Sequence, residues 1–508
     1  MEKELIQKID DILQYVKEQE YIFRSDLKRV HPTHRESARN LIHYLALRAF
    51  DLRKIQERLS HLSISSLGHS EGYTLTNLRK ILQLLRMIAG KPVGNTDEVF
   101  HSPLNYFRSK QQLKSNTDAL FGIHPEGGIS RIMVTMPTEA ADDYQLIEDL
   151  IRAGMNIARI NTSHDDPDVW SGMIDNIRRA EVKTGLKCLV YMDLAGPKIR
   201  TGALSPAHSE TDKKGRPCLI LKKGDLLKVK AQVEESGADT LPAIAITLPQ
   251  VLDDIKQGDQ IAFDDGKISG LVKEVHPGEI LVEIGRAKHK GSKLRSDKGV
   301  NFPETKLKLP SLTEQDLANI PFVAAHADIL GYSFVRRPGD VEKLQTTLAE
   351  VGRMDIGIIL KIETKEAFNN LPALLLAAMR SPRAGVMIAR GDLAAEISFE
   401  RVSEVQEEIL WICEAAHIPG IWATQVLEKL AKKGVASRAE ITDAAMAARA
   451  ECVMLNKGPY ILDAVTTLSD IIKRMEKHHF KQKNNLRPLR VASRFLEDRG
   501  LPLPSLPA

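Results

Sequence analysis

Between Arg131 and Met475 a short apolar run gives way to an amphipathic stretch eight times over. This alternation constrains the fold more than any other feature of the chain. RIMVTMP is followed by DYQLIEDLIRAGM, NIARINTS by DVWSGMIDNIRRAEVK, and KCLVYMDLAG by a break and then TEQDLANIPFVAAH. The same alternation continues through DILGYSFV, IGIILKIE, GVMIARGD, IPGIWATQ and ECVMLNKG, each with its helical partner, the last being PYILDAVTTLSDIIKRM. Strand-like runs alternating with helical periodicity call for parallel strands joined by crossover helices. Eight such units predict a closed (β/α)8 barrel of α/β class, because the count closes at eight, whereas a nine-stranded doubly wound sheet would need one more strand. Chemistry in such a barrel sits at the carboxyl ends of the strands.

The break covers residues 202–302 and differs in kind. CLILKKGDLLKVKA, DQIAFDDGKISGLVKEV and EILVEIGRA are short alternating runs with Gly and Asp at their turns. They predict a small β domain inserted after the third barrel strand, placed as a lid over the site. Residues 126–201 and 303–480 then form the barrel. Residues 1–125 carry three apolar stripes at helical spacing, which predicts a helical packing or oligomerisation module. The polar stretch from Pro92 to Gly128 reads as a linker, and residues 481–508 as a polar, proline-rich tail. A homo-oligomer is compatible with this layout.

The 71 basic side chains nearly balance the 67 acidic ones, for a formal net charge of +4 over 508 residues. That balance gives no support for nucleic acid as a partner. No apolar run reaches the roughly 18 residues of a membrane helix, and MEKELIQKIDD lacks an apolar signal core. Cys188, Cys218, Cys413 and Cys452 fit no metal spacing, so buried thiols in a reducing cytoplasm are expected.

Side chains at the strand ends carry the chemistry. Lys361 and Glu363 are two residues apart and leave the fifth strand on one side. Asp392 follows the sixth strand. Glu363 and Asp392 on neighbouring strands suit one hard divalent cation, since magnesium takes one or two carboxylates together with substrate phosphate oxygens. Lys361 beside such a cation would face a transferring phosphoryl group. Arg159, Asn161 and Ser163 alternate at the end of the second strand, and Arg159 suits a phosphate or carboxylate clamp. His164 follows out of phase. Asp193, Lys198 and Arg200 surround a Gly-Pro turn after the third strand, Thr424 stands at the end of the seventh, and Lys298 lies on the basic return from the insert.

These pieces resemble the pyruvate kinase family from about Arg131 to His479. The resemblance rests on AGMNIARINTSH, MDLAGPKIRTG, DDGKIS, KGVNFPETKLKLPSLTEQD, SFVRRPGDV, LKIETKEA, MIARGDLAAEI, ATQVLEKL and SRAEITD, in that order and with the insert in that place. It implies a barrel with a β lid that transfers the phosphoryl group of phosphoenolpyruvate to ADP, giving pyruvate and ATP. It also implies magnesium or manganese on Glu363 and Asp392, with Lys361 stabilising the transferring group and Arg159 binding phosphate. Thr424 would lie beside the enolate, and the Gly391 backbone would contact the substrate carboxylate. Asn161, Ser163, His164, Arg200 and Lys298 match nucleotide-side positions. Asn161, Ser163, Asp193 and Lys198 match the monovalent-cation region.

Three departures shape the expectation. Lys198 stands where most of the family has glutamate, so potassium is not expected to be required. The family's C-terminal domain has no counterpart after the last barrel helix, so effector control through it is not expected. The first strand ends TMPTEA, and the eighth ends MLNKGPY in place of the family's Ser-Gly-Glu-Thr turn, which leaves the acceptor open. Another phosphoenolpyruvate or pyruvate-enolate enzyme on the same metal site (a lyase or a different phosphotransferase) and a non-catalytic regulatory homologue stay open beside the kinase reading.

Overall fold

A computed structural model describes residues 2–65, 67–92, 103–212, 214–233, 240–481 and 483–484. Among these, eight parallel strands close into a barrel: β1 (Arg131–Thr135), β2 (Met155–Asn161), β3 (Leu189–Asp193), β4 (Ile329–Tyr332), β5 (Gly357–Ile362), β6 (Ala384–Ala389), β7 (Gly420–Ala423) and β8 (Cys452–Leu455). β1 closes the ring by pairing with both β2 and β8. The strands are almost fully buried on both faces, as a parallel barrel wrapped by helices requires.

The inward faces are sorted by height. Met133, Ile157, Tyr191, Ile329, Ile359, Met387, Ile421 and Cys452 pack together in the lower barrel. Two residues further along β1, β2, β3 and β5, the inward positions are Thr135, Arg159, Asp193 and Lys361. The two-residue period of a strand therefore stacks a polar layer directly on an apolar one.

Several crossover helices are started by local chemistry. Asp166 caps Pro167–Thr184, with its carboxylate accepting from the Asp168 and Val169 N–H groups and Pro167 at the first helical position. Thr313 and Asp316 form a capping box on Glu314–His326. Asp316 also accepts from the Ala195 N–H at 2.8 Å, which ties that helix to the loop leaving β3.

The insert forms a seven-stranded and a three-stranded sheet around its own apolar core. Its entry and exit strands are stitched together at the barrel by Thr201 N–H to Lys298 O at 2.8 Å and Lys298 N–H to Thr201 Oγ1 at 2.8 Å.

Residues 2–88 are largely helical and have a separate core built from Leu5, Ile9, Val16, Leu47, Leu59, Leu78 and Leu85. The linker reading of Pro92–Gly128 needs correction. Residues 93–102 lie outside the described set, but Tyr106–Phe121 is a helix capped by Asn105. Its last residues, Leu120 and Phe121, enter the lower barrel core. Gly357 and Gly385 make room for Leu120: a Cβ at either would come within 2.5 or 2.7 Å of it. The polar residues that suggested a linker are the outer face of a plug. Of the expected tail, Lys481 is buried against Glu451 and the partly buried Lys483 pairs with Glu414, while residues 482 and 485–508 lie outside the described set. All four cysteines are free and buried.

Candidate active site

The upper barrel layer converges on Asp193, which is 1% exposed. Arg159 donates through Nε to Asp193 Oδ2 at 2.7 Å and through Nη1 to Thr135 Oγ1 at 2.9 Å. Tyr191 donates its hydroxyl to Asp193 Oδ1 at 2.7 Å. Lys361 Nζ lies 3.5 Å from Asp193 Oδ2 and 3.2 Å from Glu363 Oε1, and donates to Ser333 Oγ at 2.7 Å. Glu363 Oε2 accepts from the Phe334 N–H at 2.6 Å. The network crosses β1, β2, β3 and β5 and the loop after β4.

Burial would penalise ionisation of Asp193, but Arg159 and then Lys361 outweigh it and hold its carboxyl below the usual range. Burial likewise opposes the charge on Lys361, yet Asp193 and Glu363 keep its ammonium above the ordinary lysine value. Glu363 is raised, first by burial and also by the negative charge of Asp392, with Lys361 acting against both. Two carboxylates thus press on each other beside a fixed cation.

Asp392 lies in the first turn of a helix, Arg390–Ile397, that begins directly after β6. Lys198 Nζ donates to Asp392 Oδ2 at 2.9 Å. Lys198, expected in the monovalent-cation region, therefore bonds on the Glu363–Asp392 side. Asn161 ends β2. Ser163 falls in the following turn, its N–H donating to Asn161 Oδ1 at 3.2 Å, so the strand alternation stops before it. His164 is exposed and lines a cavity of about 270 Å³ with Arg159, Asn161, Lys432, Asn456 and Lys457. Arg200 and Lys298 stay at the base of the lid, paired with Asp297 and Asp264 at 3.3 Å each.

Thr424 is one residue past β7 with φ +65°, a left-handed conformation that is costly for a β-branched residue. Its Oγ1 is buried and has no hydrogen-bond partner. The conformation is imposed from below: Arg390 holds the Ala423 and Thr424 carbonyls and is itself paired with Asp443. Gly391 lies close to it, with a Cβ there meeting Thr424 at 3.9 Å.

Reading motifs from the sequence missed Thr135, Tyr191, Ser333 and Arg390. Tyr191 shares a strand face with Asp193, and a two-residue spacing back from Asp193 would have found it. Ser333 and Arg390 gave no such signal, because their roles depend on neighbouring strands.

A model of the pyruvate kinase barrel domain matches residues 129–465. The chain belongs to the pyruvate kinase family. The match takes in all eight barrel strands and the lid. Over the aligned stretch, curated pyruvate kinases are about a third identical to it. That of Staphylococcus saprophyticus is 33% identical over 341 residues, covering 65% of this chain and 54% of that protein. The Geobacillus stearothermophilus enzyme is 35% identical over 347 residues, covering 66% and 55%. The Thermotoga maritima enzyme is 34% identical over 343 residues, covering 66% and 69%. The chain thus spans about half the length of the first two relatives. Among the described residues, no helix is long and apolar enough to cross a membrane.

Proposed function

We propose that this chain transfers the phosphoryl group of phosphoenolpyruvate to a nucleoside diphosphate, with ADP as the first candidate, giving pyruvate and the triphosphate in the cytoplasm. The observation that carries the reading is the buried Lys361 ammonium, fixed by Ser333, Asp193 and Glu363 in a layer it shares with Arg159. Phosphoryl transfer asks mainly for positioning and for positive charge held where negative charge develops. Lys361 and Arg159 supply two such charges at the strand ends. Both are oriented before substrate arrives, so little reorganisation is needed during transfer.

Glu363 and Asp392 fit a magnesium or manganese ion: both are hard oxygen donors, and Glu363, raised first by burial and then by the Asp392 charge, gains a partner for its ionised form when a cation lies between them. When bound, the ion neutralises charge on the phosphoryl oxygens. The buried, unpartnered Thr424 hydroxyl would face the enolate left behind and steer a proton to it through water. Gly391 offers its backbone beside Thr424 for the substrate carboxylate. The cavity that holds Asn161, His164, Lys432 and Lys457 receives the acceptor's phosphates. Ser163, Arg200 and Lys298 join it from the β2 turn and the lid. With Lys198 placing an ammonium on Asp392, no potassium is needed.

A second reading follows from Asn456 and Lys457 at the end of β8, which suit a phosphate-bearing acceptor other than ADP. A coupled assay for pyruvate, run with each nucleoside diphosphate with and without magnesium, tests both. The kinase reading expects magnesium-dependent pyruvate with at least one diphosphate. Pyruvate formed without any diphosphate would contradict it.

A further inference from the structure

The helical module carries a concentration of positive charge that the barrel chemistry does not use. The end of helix Glu2–Ile22, the short helix Arg24–Arg29 and the start of helix Arg35–Arg48 border an open hollow of about 590 Å³. Lys17, Arg24, Lys28, Arg35 and Arg39 line it, with Glu20 as its one carboxylate. This hollow alone therefore carries as much net charge as the whole chain, +4.

Glu20 is engaged by Arg39 at 3.3 Å and His43 at 2.8 Å, and Arg39 also pairs with Glu36 at 2.6 Å, so the surplus rests on Lys17, Arg24, Lys28 and Arg35. Arg24 lies over the Tyr21 ring at 4.4 Å, a contact that orients the guanidinium without neutralising it. Among the described residues, Lys17, Arg24, Lys28 and Arg35 have no carboxylate partner. Cations gathered in one concavity repel one another and attract multivalent anions.

The module meets the barrel at its lower end. His34 Nε2 lies 3.0 Å from the Pro382 carbonyl, ahead of β6, and Asn40 donates to the Ala415 carbonyl, ahead of β7. The cavity is thus remote from the strand ends where Lys361 sits, and its occupancy is independent of the phosphoryl-transfer reading.

We propose that this cavity binds a small anion carrying two or more phosphate groups. Arginine guanidinium groups suit phosphate oxygens in paired hydrogen bonds, and lysines add point charge. A polymer is disfavoured because the cations come from three helices and converge on one hollow, where a strand of nucleic acid would need them spread along a face.

Lysine acetylation followed by mass spectrometry on the full chain tests this locally, using tripolyphosphate as probe. Lys54, exposed on another helix of the module, is the reference. Acetylation of Lys17 and Lys28 should slow about fivefold or more, and Lys54 should be unaffected. Each lost charge-assisted contact weakens binding by roughly tenfold. The Arg24→Gln/Arg35→Gln variant should therefore need at least about tenfold more tripolyphosphate for half-protection. The single Lys28→Gln variant, read at Lys17, gives the same test with a smaller perturbation. Equal rates with and without probe would overturn the proposal, as would half-protection unchanged in the variants. So would a single-stranded oligonucleotide that protects Lys17 at lower phosphate concentration than tripolyphosphate does and covers Lys54 as well.

Discussion

Gly331 shows how closely single residues define the site. It occupies the inward position of β4 level with Asp193, where every neighbouring strand has a side chain. A Cβ there would stand 2.0 Å from the Tyr191 hydroxyl and 2.2 Å from Asp193 Oδ1. The strand passes through glycine so that the carboxylate can lie at the centre of the layer. Gly331→Ala should cost roughly 1–3 kcal/mol through overpacking, seen as a lower denaturant midpoint; an unchanged midpoint would mean the layer has slack. Lys198 makes the second residue-scale case. Its bond to Asp392 predicts similar turnover in potassium-free and potassium-containing buffer of equal ionic strength. Like charges about 4 Å apart repel by up to about 4 kcal/mol in a partly buried setting. Lys198→Glu should therefore lower turnover by roughly tenfold or more and make the remainder depend on potassium. Strong potassium activation of the unaltered protein would remove Lys198 from this role.

Among the elements, the joint between module and barrel rests on buried polar contacts. His417, ahead of β7, meets Ser37 Oγ, the Gly72 carbonyl and Ser109 Oγ at 2.9–3.1 Å. Burial pushes its imidazole down to about 4 from an ordinary 6.5. The folded state holds the neutral ring while the unfolded chain takes up a proton near 6.5. Its stabilising contribution is therefore full above pH 6.5 and is lost as the pH falls toward 4, by on the order of 3 kcal/mol. Unfolding free energy measured across that range should fall, and His417→Asn should flatten the slope; an NMR titration placing His417 near 6.5 would disprove it. Such joints were not legible in the sequence. The apolar stripes of the module were, because a helical period is local. Ser37, Gly72, Ser109 and His417 are far apart along the chain and meet only after packing. The helix Tyr106–Phe121 was hidden for a related reason: just its last turn enters the barrel, so its polar outer face dominates the pattern.

At the scale of the whole molecule, the strand–helix count sufficed for the barrel, and the change of period after β3 marked the insert. Lys361, Glu363 and Asp392 could be placed because strand ends in a parallel barrel share one face. Ser163 could not, because β2 stops at Asn161 and the alternation with it. Lys198 could not either, since its reach to Asp392 depends on how the lid's entry strand leaves the barrel. The central claim is that a buried ammonium, fixed in the upper layer by Ser333 and two carboxylates, drives phosphoryl transfer. Its most direct test is turnover of phosphoenolpyruvate to pyruvate by the unaltered protein and by Lys361→Met, with magnesium and the preferred diphosphate saturating. Loss of one preorganised stabiliser predicts a fall of roughly 10²–10³ in a variant whose folded state is retained by circular dichroism. Equal turnover by the two proteins would contradict the account.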